Sequence, residues 1–89
     1  MLLHMVLAGT VQGVGFRNFT KKVADELGIK GWVKNNPDGT VEIMAEGDEE
    51  TLRKFMDIVE QGPPLAEVRG LRFEFIDDEG GFKDFEIIY

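Results

Sequence analysis

The sequence contains no cysteine, which excludes a disulfide framework, a zinc–thiolate site and catalysis by a thiol. Long apolar runs are also missing, since none approaches the ~18–20 residues that a membrane span needs. The first five residues include neither a basic segment nor a small-residue cleavage site, so a signal peptide is not predicted. These absences favour a cytoplasmic protein.

The sequence has few positively charged residues relative to negatively charged ones. The chain has 10 lysine and arginine residues against 17 aspartate and glutamate residues, a formal net charge of -7. Nucleic-acid binding needs a basic face, so neither nucleic acid nor a membrane is expected as a partner. An acidic chain repels anions at long range, and an anionic substrate would therefore require a compact cationic or amide-rich pocket.

The 89 residues are about the length of one domain, and we expect a single domain over residues 1–89. Residues 2–8 form an apolar run broken only by His4, which indicates a strand buried on both faces or one in the middle of a sheet. Apolar residues recur at helical spacing over 16–27, and Gly28 ends that helix. Residues 29–33 predict a second strand.

The second half of the chain predicts a hairpin, a helix and further strands. The turn at 36–39, Asn-Pro-Asp-Gly, joins the second strand to the third. The second helix begins with Gly47 or Asp48 as its N-cap and ends at Gly62, and Gly70 can host a bulge. The later strands are predicted at residues 41–45, 71–75 and 85–89.

This order of elements predicts an α+β fold of the ferredoxin-like type. It is a βαββαβ two-layer sandwich, with an antiparallel sheet, two helices on one face and a short extra C-terminal strand. No internal repeat, linker or low-complexity tract interrupts it.

The most informative segment runs from Gly9 to Arg17 and leaves a strand, turns through three glycines and enters a helix. Helix N-termini carry unpaired amides, and glycines allow successive N–H groups to converge on one anion. Arg17 adds a planar fork suited to phosphate. On the residues alone, the segment is either a phosphate site or a tight connection with an exposed arginine.

A second polar segment lies at the end of the second strand, where Asn35 precedes the turn. Spacing alone favours simple turn formation for Asn35 and Asn36, which asparagine supports well.

Both segments resemble the acylphosphatase family. The resemblance rests on Val11–Arg17, on Gly28–Asn35 and on Asp38–Glu42, and it covers essentially the whole chain. Gly47, the Gly62-Pro63 pair and the closing residues 85–89 also fall where that family has them. One position departs, because the family often has a basic residue where this chain has Thr10.

The resemblance implies a metal-independent hydrolase that needs no cofactor and cleaves the carboxyl-phosphate bond of acyl phosphates. By the family's pattern, Arg17 would bind the phosphate and Asn35 would orient the attacking water. The implied phosphate-binding loop consists of Gln12, Gly13, Val14, Gly15, Phe16 and Arg17. The expected partners are a small-molecule acyl phosphate and the product inorganic phosphate, and the chain is expected to be a monomer.

Two alternatives use the same fold. One is a non-catalytic module that binds a small anion and regulates an enzyme. The other is a ferredoxin-like RNA-binding domain, which would need aromatic residues on an open sheet face and a basic surface. The acidic balance counts against RNA. The regulatory module would not need an asparagine facing the glycine-rich loop, and it would not hydrolyse benzoyl phosphate in the absence of metal.

Overall fold

The computed structural model describes residues 1–89 and contains five strands and two helices. In chain order these are β1 (Leu2–Thr10), α1 (Phe16–Leu27), β2 (Lys30–Asn35), β3 (Val41–Glu46), α2 (Glu49–Gln61), β4 (Glu67–Ile76) and β5 (Phe85–Ile88). The strands form one sheet in the order β4-β1-β3-β2-β5. The first four pair antiparallel, which confirms the ferredoxin-like prediction, and β5 adds a strand parallel to β2. Neither helix has the length and apolar composition of a membrane span.

The core lies on one face of the sheet only. In β1, Leu3, Met5 and Leu7 are fully buried, whereas His4 and Val6 between them are half-buried. Side chains alternate across a strand, so one face of β1 meets the helices and the other remains open. The prediction that β1 is central is confirmed, and the alternative that it is buried on both faces is wrong. Both helices contribute to the same apolar cluster through Phe16, Val23, Ala24, Leu52, Phe55, Met56 and Val59.

The helix boundaries follow from local chemistry. Gly28 ends α1 in the left-handed conformation, with φ of 71°, and its amide contacts the carbonyls of the last turn. Of the two candidate caps of α2, Asp48 is the one used, because its carboxylate accepts a hydrogen bond from the Thr51 amide at 2.8 Å.

A bulge interrupts the pairing of β1 with β4 just before the first loop. Ala8 pairs with Gly70 and Gly9 pairs with Val68, so the extra residue is Arg69, one position before the glycine that the sequence suggested. Gly9 has φ of 126°, and a Cβ there would overlap the carbonyl oxygen of Glu67. The close approach of the two backbones therefore requires glycine at position 9.

Candidate active site

The loop between β1 and α1 depends on two left-handed glycines. Gly13 and Gly15 have φ of 75° and 78°, and a Cβ at either position would meet nothing within 4 Å. Glycine is required at these positions for the backbone conformation and not for space. Val11 and Phe16, at the two ends of the loop, are each 1% exposed and anchor it to the core.

The N-terminus of α1 has no protein cap. Gly15 provides no side-chain hydrogen bond there, and the first turn holds no acidic residue. The opposite holds for α2, where Asp48 is the cap and Glu49 and Glu50 follow it. Since the first amides of a helix have no acceptor within the helix, those of α1 are available to an external anion. The positive end of the helix dipole adds to that attraction.

The guanidinium of Arg17 is free to bind an anion at this same helix end. Arg17 belongs to none of the ion pairs of the protein. Its one interaction of note is with the ring of Tyr89, whose centroid lies 4.8 Å from Cζ. This cation–π contact leaves the N–H donors of the guanidinium free.

Asn35 carries an unsatisfied polar atom. Its Oδ1 is the one buried side-chain nitrogen or oxygen in the protein that has no hydrogen-bond partner, and the amide nitrogen is not enclosed in this way. A half-turn of the carboxamide would exchange the two atoms and bring the oxygen to the accessible position. In the present orientation the unpaired buried oxygen costs about 1–3 kcal/mol, and after the half-turn it can accept a hydrogen bond from a water molecule in the cavity.

These features converge on one concavity of about 260 Å³. Its lining consists of Val11, Gly13, Gly15, Phe16, Arg17, Asn18, Asn35 and Tyr89. The predicted catalytic pair, Arg17 and Asn35, thus shares one cavity with most of the predicted loop. A pocket with amide donors, one guanidinium and one carboxamide can hold a tetrahedral oxyanion and a water molecule.

Two predicted loop residues have side chains that serve elsewhere. Val14 packs against the core, and the Gln12 side chain reaches across to the β2–β3 turn. For these residues, a contribution to anion binding can come only from their backbone amides.

The sequence suggested that the C-terminal carboxylate after Tyr89 could reach the site, but not that the ring of Tyr89 contacts Arg17 or that Asn18 lines the cavity. Tyr89 reaches the site because β5 runs parallel to β2, where Ile88 pairs with Lys34 and the next residue lies beside Asn35. No local pattern in the sequence predicted the pairing of β5 with β2. Asn18 follows Arg17 in the first turn of α1. Its position next to Arg17 was the only feature of the sequence that could have indicated a place in the site.

Thr10 stands where the acylphosphatase family often has a basic residue, and the structure brings an arginine from another strand to this position. The guanidinium of the bulged Arg69 donates from Nη2 to the Thr10 hydroxyl at 3.2 Å. The same guanidinium donates from Nε to Glu67 Oε1 at 3.1 Å, so the positive charge that β4 brings to the start of the loop is paired with a carboxylate.

The β2–β3 turn beside Asn35 is fixed by its own hydrogen bonds. The Thr40 hydroxyl and amide donate to Asp38 Oδ1 at 2.7 and 3.0 Å. The hydroxyl hydrogen bond is the main reason that the pKa of Asp38 lies below its ordinary value. Asp38 is therefore ionised at neutral pH and keeps the turn closed.

A wider groove of about 590 Å³ lies between the end of α1 and β5. Its nearest cation, Lys21, already donates to Asp25 Oδ2 at 3.1 Å and to the Phe85 carbonyl at 2.9 Å. Because lysines and carboxylates are mixed along this open groove, it has no concentrated donor set for an anion. The smaller cavity, which combines the free guanidinium with the uncapped helix N-terminus, is therefore the candidate site.

Comparison with known proteins gives a consistent result. The sequence model of the acylphosphatase family matches residues 3–87. An acylphosphatase of Archaeoglobus fulgidus is 54% identical over 87 residues, which are 98% of this chain and 97% of that protein. One of Thermotoga maritima is 51% identical over 87 residues, with 98% and 96% covered. The crystal structure of acylphosphatase from Bacillus subtilis matches with a TM-score of 0.95 at 41% identity, covering 100% of both chains.

Proposed function

The chain belongs to the acylphosphatase family, and from that premise we propose that Arg17 and the loop amides hold the phosphoryl group of an acyl phosphate while Asn35 places the attacking water. The products are a carboxylate and inorganic phosphate. The observation that carries the proposal is the shared cavity, where an uncapped helix N-terminus and an unpaired guanidinium meet a carboxamide with an unsatisfied oxygen.

The chemistry of the substrate explains why so few groups suffice. Phosphoryl transfer passes through a loose transition state with charge spread over the phosphoryl oxygens. Catalysis then depends on donors around those oxygens and on a water held in line with the leaving group. The leaving group is a carboxylate, which departs without needing a proton, so the site requires no strong general acid.

The roles of the two side chains differ. The planar fork of Arg17 matches two phosphoryl oxygens and compensates their negative charge. This compensation is needed because the net charge of the protein is negative and repels an anionic substrate. The Asn35 carboxamide accepts a hydrogen bond from water through its oxygen and donates through its nitrogen. It positions the water and does not remove its proton completely.

We further propose that the chain acts as a single-domain monomer in the cytoplasm, without a metal or cofactor. The absence of cysteine supports this location. The loose transition state and the carboxylate leaving group support activity without a Lewis acid.

The experiment is hydrolysis of benzoyl phosphate, followed by ultraviolet absorbance in the presence of a chelator. Arg17→Ala and Asn35→Ala are each expected to lower turnover on the order of 10²-fold or more, as for the loss of an oxyanion donor. Both variants should remain folded, because neither side chain belongs to the core.

Arg53→Ala is the matched control, since Arg53 lies on α2 and pairs with Glu49 at an exposed position. Wild-type turnover in either site variant would refute the corresponding role. A wild-type protein that binds phosphate but hydrolyses nothing would instead support the regulatory anion-binding module.

A further inference from the structure

One side chain connects the two halves of the site. The Gln12 amide nitrogen donates to the carbonyl of Asn36 at 2.8 Å and to the carbonyl of Thr40 at 2.9 Å. These contacts join the loop that leads to Arg17 with the turn that follows Asn35. Both amide hydrogens of Gln12 are used, so its side chain has no hydrogen left to donate to a phosphate.

The turn that Gln12 contacts is a rigid partner. The Asn36 amide donates to the Thr40 carbonyl at 2.9 Å, and the Gly39 amide donates to the Asn36 carbonyl at 3.1 Å. The Asn36 side chain also donates to the Thr40 hydroxyl at 3.0 Å. Each carbonyl that Gln12 contacts is therefore already held by a backbone hydrogen bond, and Gln12 fixes the loop against a closed turn.

The other end of this connection is equally constrained. Gln12 follows Val11, which is buried, and precedes Gly13, whose left-handed conformation begins the loop. The loop follows β1 and the turn precedes β3, and these two strands pair as far as Leu7 and Val41. Beyond that point, the hydrogen bonds between the loop and the turn come from Gln12. Their relative position sets where a water on Asn35 lies with respect to a phosphate on Arg17.

We propose that Gln12 is a positioning residue that aligns the Asn35-bound water with the phosphoryl group, a role that rests on the function proposed above. It touches neither phosphate nor water through its side chain. Its effect is on the geometry of attack, where a displacement of about 1 Å costs up to about 10²-fold in rate.

The first test is Gln12→Leu, which removes both hydrogen bonds at similar size. We expect kcat for benzoyl phosphate to fall about 10–100-fold. The inhibition constant of inorganic phosphate should change by less than about threefold, because Arg17 and the loop amides remain. A side chain that only holds the loop together would instead weaken phosphate binding and kcat in parallel, and that result would overturn the proposal.

The second test combines Gln12→Leu with Asn35→Ala. If Gln12 acts through the water on Asn35, then adding Gln12→Leu to Asn35→Ala should lower kcat by less than about twofold further. A full additional 10–100-fold loss would show that Gln12 acts by another route. Should Gln12→Leu fail to fold, the third test replaces it.

The third test is Gln12→Glu, with Gln61→Glu as the matched control. A carboxylate facing two carbonyl oxygens is repelled, whereas the protonated acid restores one hydrogen bond. The kcat of Gln12→Glu relative to wild type should therefore rise severalfold as the pH is lowered from 8 to about 5. Gln61 is exposed at the end of α2, so the same ratio for Gln61→Glu should be flat. A flat ratio for Gln12→Glu would overturn the alignment role.

These outcomes separate the two proposals. If the proposed function fails, Arg17→Ala and Asn35→Ala keep full turnover. If only the inference about Gln12 fails, those two variants lose turnover. Gln12→Leu then retains turnover or loses kcat and phosphate binding in parallel, and Gln12→Glu shows no dependence of its relative kcat on pH.

Discussion

Replacing Arg17 by lysine tests whether the site needs a planar fork or only a positive charge. The guanidinium has no competing ion pair, and its Cζ lies 4.8 Å from the ring centroid of Tyr89. It can therefore offer two parallel N–H donors to the phosphoryl oxygens. A lysine ammonium keeps the charge but loses one of those two hydrogen bonds.

The magnitude follows from the single lost hydrogen bond. A hydrogen bond to a charged group contributes about 1.5–3 kcal/mol, so Arg17→Lys should lower kcat/KM by about 10–150-fold. Arg17→Ala loses both bonds and the charge and should fall further, on the order of 10²–10³-fold or more. Steady-state hydrolysis of benzoyl phosphate measures both variants under the same conditions.

Added guanidinium ion gives an independent measurement. It should partly restore the activity of Arg17→Ala, because the deleted group then returns in solution, and it should not help Arg17→Lys, whose side chain fills the space. Arg53→Lys, at an exposed ion pair on α2, is the matched control and should keep full activity. An Arg17→Lys enzyme with the wild-type kcat/KM would show that the fork is not needed and that this reasoning is wrong.

Three further predictions concern the site and its support. Tyr89→Ala, which removes the stack on Arg17, should weaken phosphate inhibition by about 2–5-fold, whereas Tyr89→Phe should not. Gly31→Ala should cost about 2–5 kcal/mol in denaturant unfolding, because φ is 141° and a Cβ would overlap the Met44 carbonyl oxygen. Gly81→Ala, with φ of 68° and no neighbour within 4 Å, should cost only about 1 kcal/mol, and equal losses would contradict the overlap. A hydrogen bond from His4 at 2.7 Å is the main reason that the pKa of Glu42 lies below its ordinary value of 4.5. Because this pKa is lowered in the folded state, the stabilisation is present above pH 4.5 and is lost as the pH falls through the lower value. Glu42→Gln should therefore reduce the free energy of unfolding at pH 7, and this difference should shrink as the pH falls below 4.5, whereas a pH-independent difference would refute the linkage.

The site lies where the fold has left local groups unsatisfied. The amides at the start of α1 have no side-chain cap, and the oxygen of Asn35 has no donor. Elsewhere these groups are satisfied, because Asp48 caps α2 and the Thr40 hydroxyl closes the β2–β3 turn through its hydrogen bond to Asp38. Unpaired polar groups are rare in folded proteins, and the residues that carry them here line one cavity, which favours the proposed binding site over a simple connecting loop.

The sequence by itself determined the elements of the fold and pointed to Arg17 and Asn35, which the fold brings together in one cavity. Helix periodicity, the Gly28 stop and the Asp-Gly turn are local, because they depend on the conformations of neighbouring residues. Arg17 was marked by its position after a glycine-rich loop. Spacing alone favoured a turn role for Asn35, and the resemblance to a family assigned its catalytic role.

Only the tertiary structure decided which distant side chains meet at the site. Tyr89 reaches Arg17 through the parallel pairing of β5 with β2, and Gln12 reaches a turn 24 and 28 residues away. Arg69 faces Thr10 because of a one-residue bulge between β1 and β4. Such contacts depend on strand register, where a shift of one residue sends every side chain to the other face. Register is set by the packing of the whole core, so no local pattern in the sequence encodes these contacts.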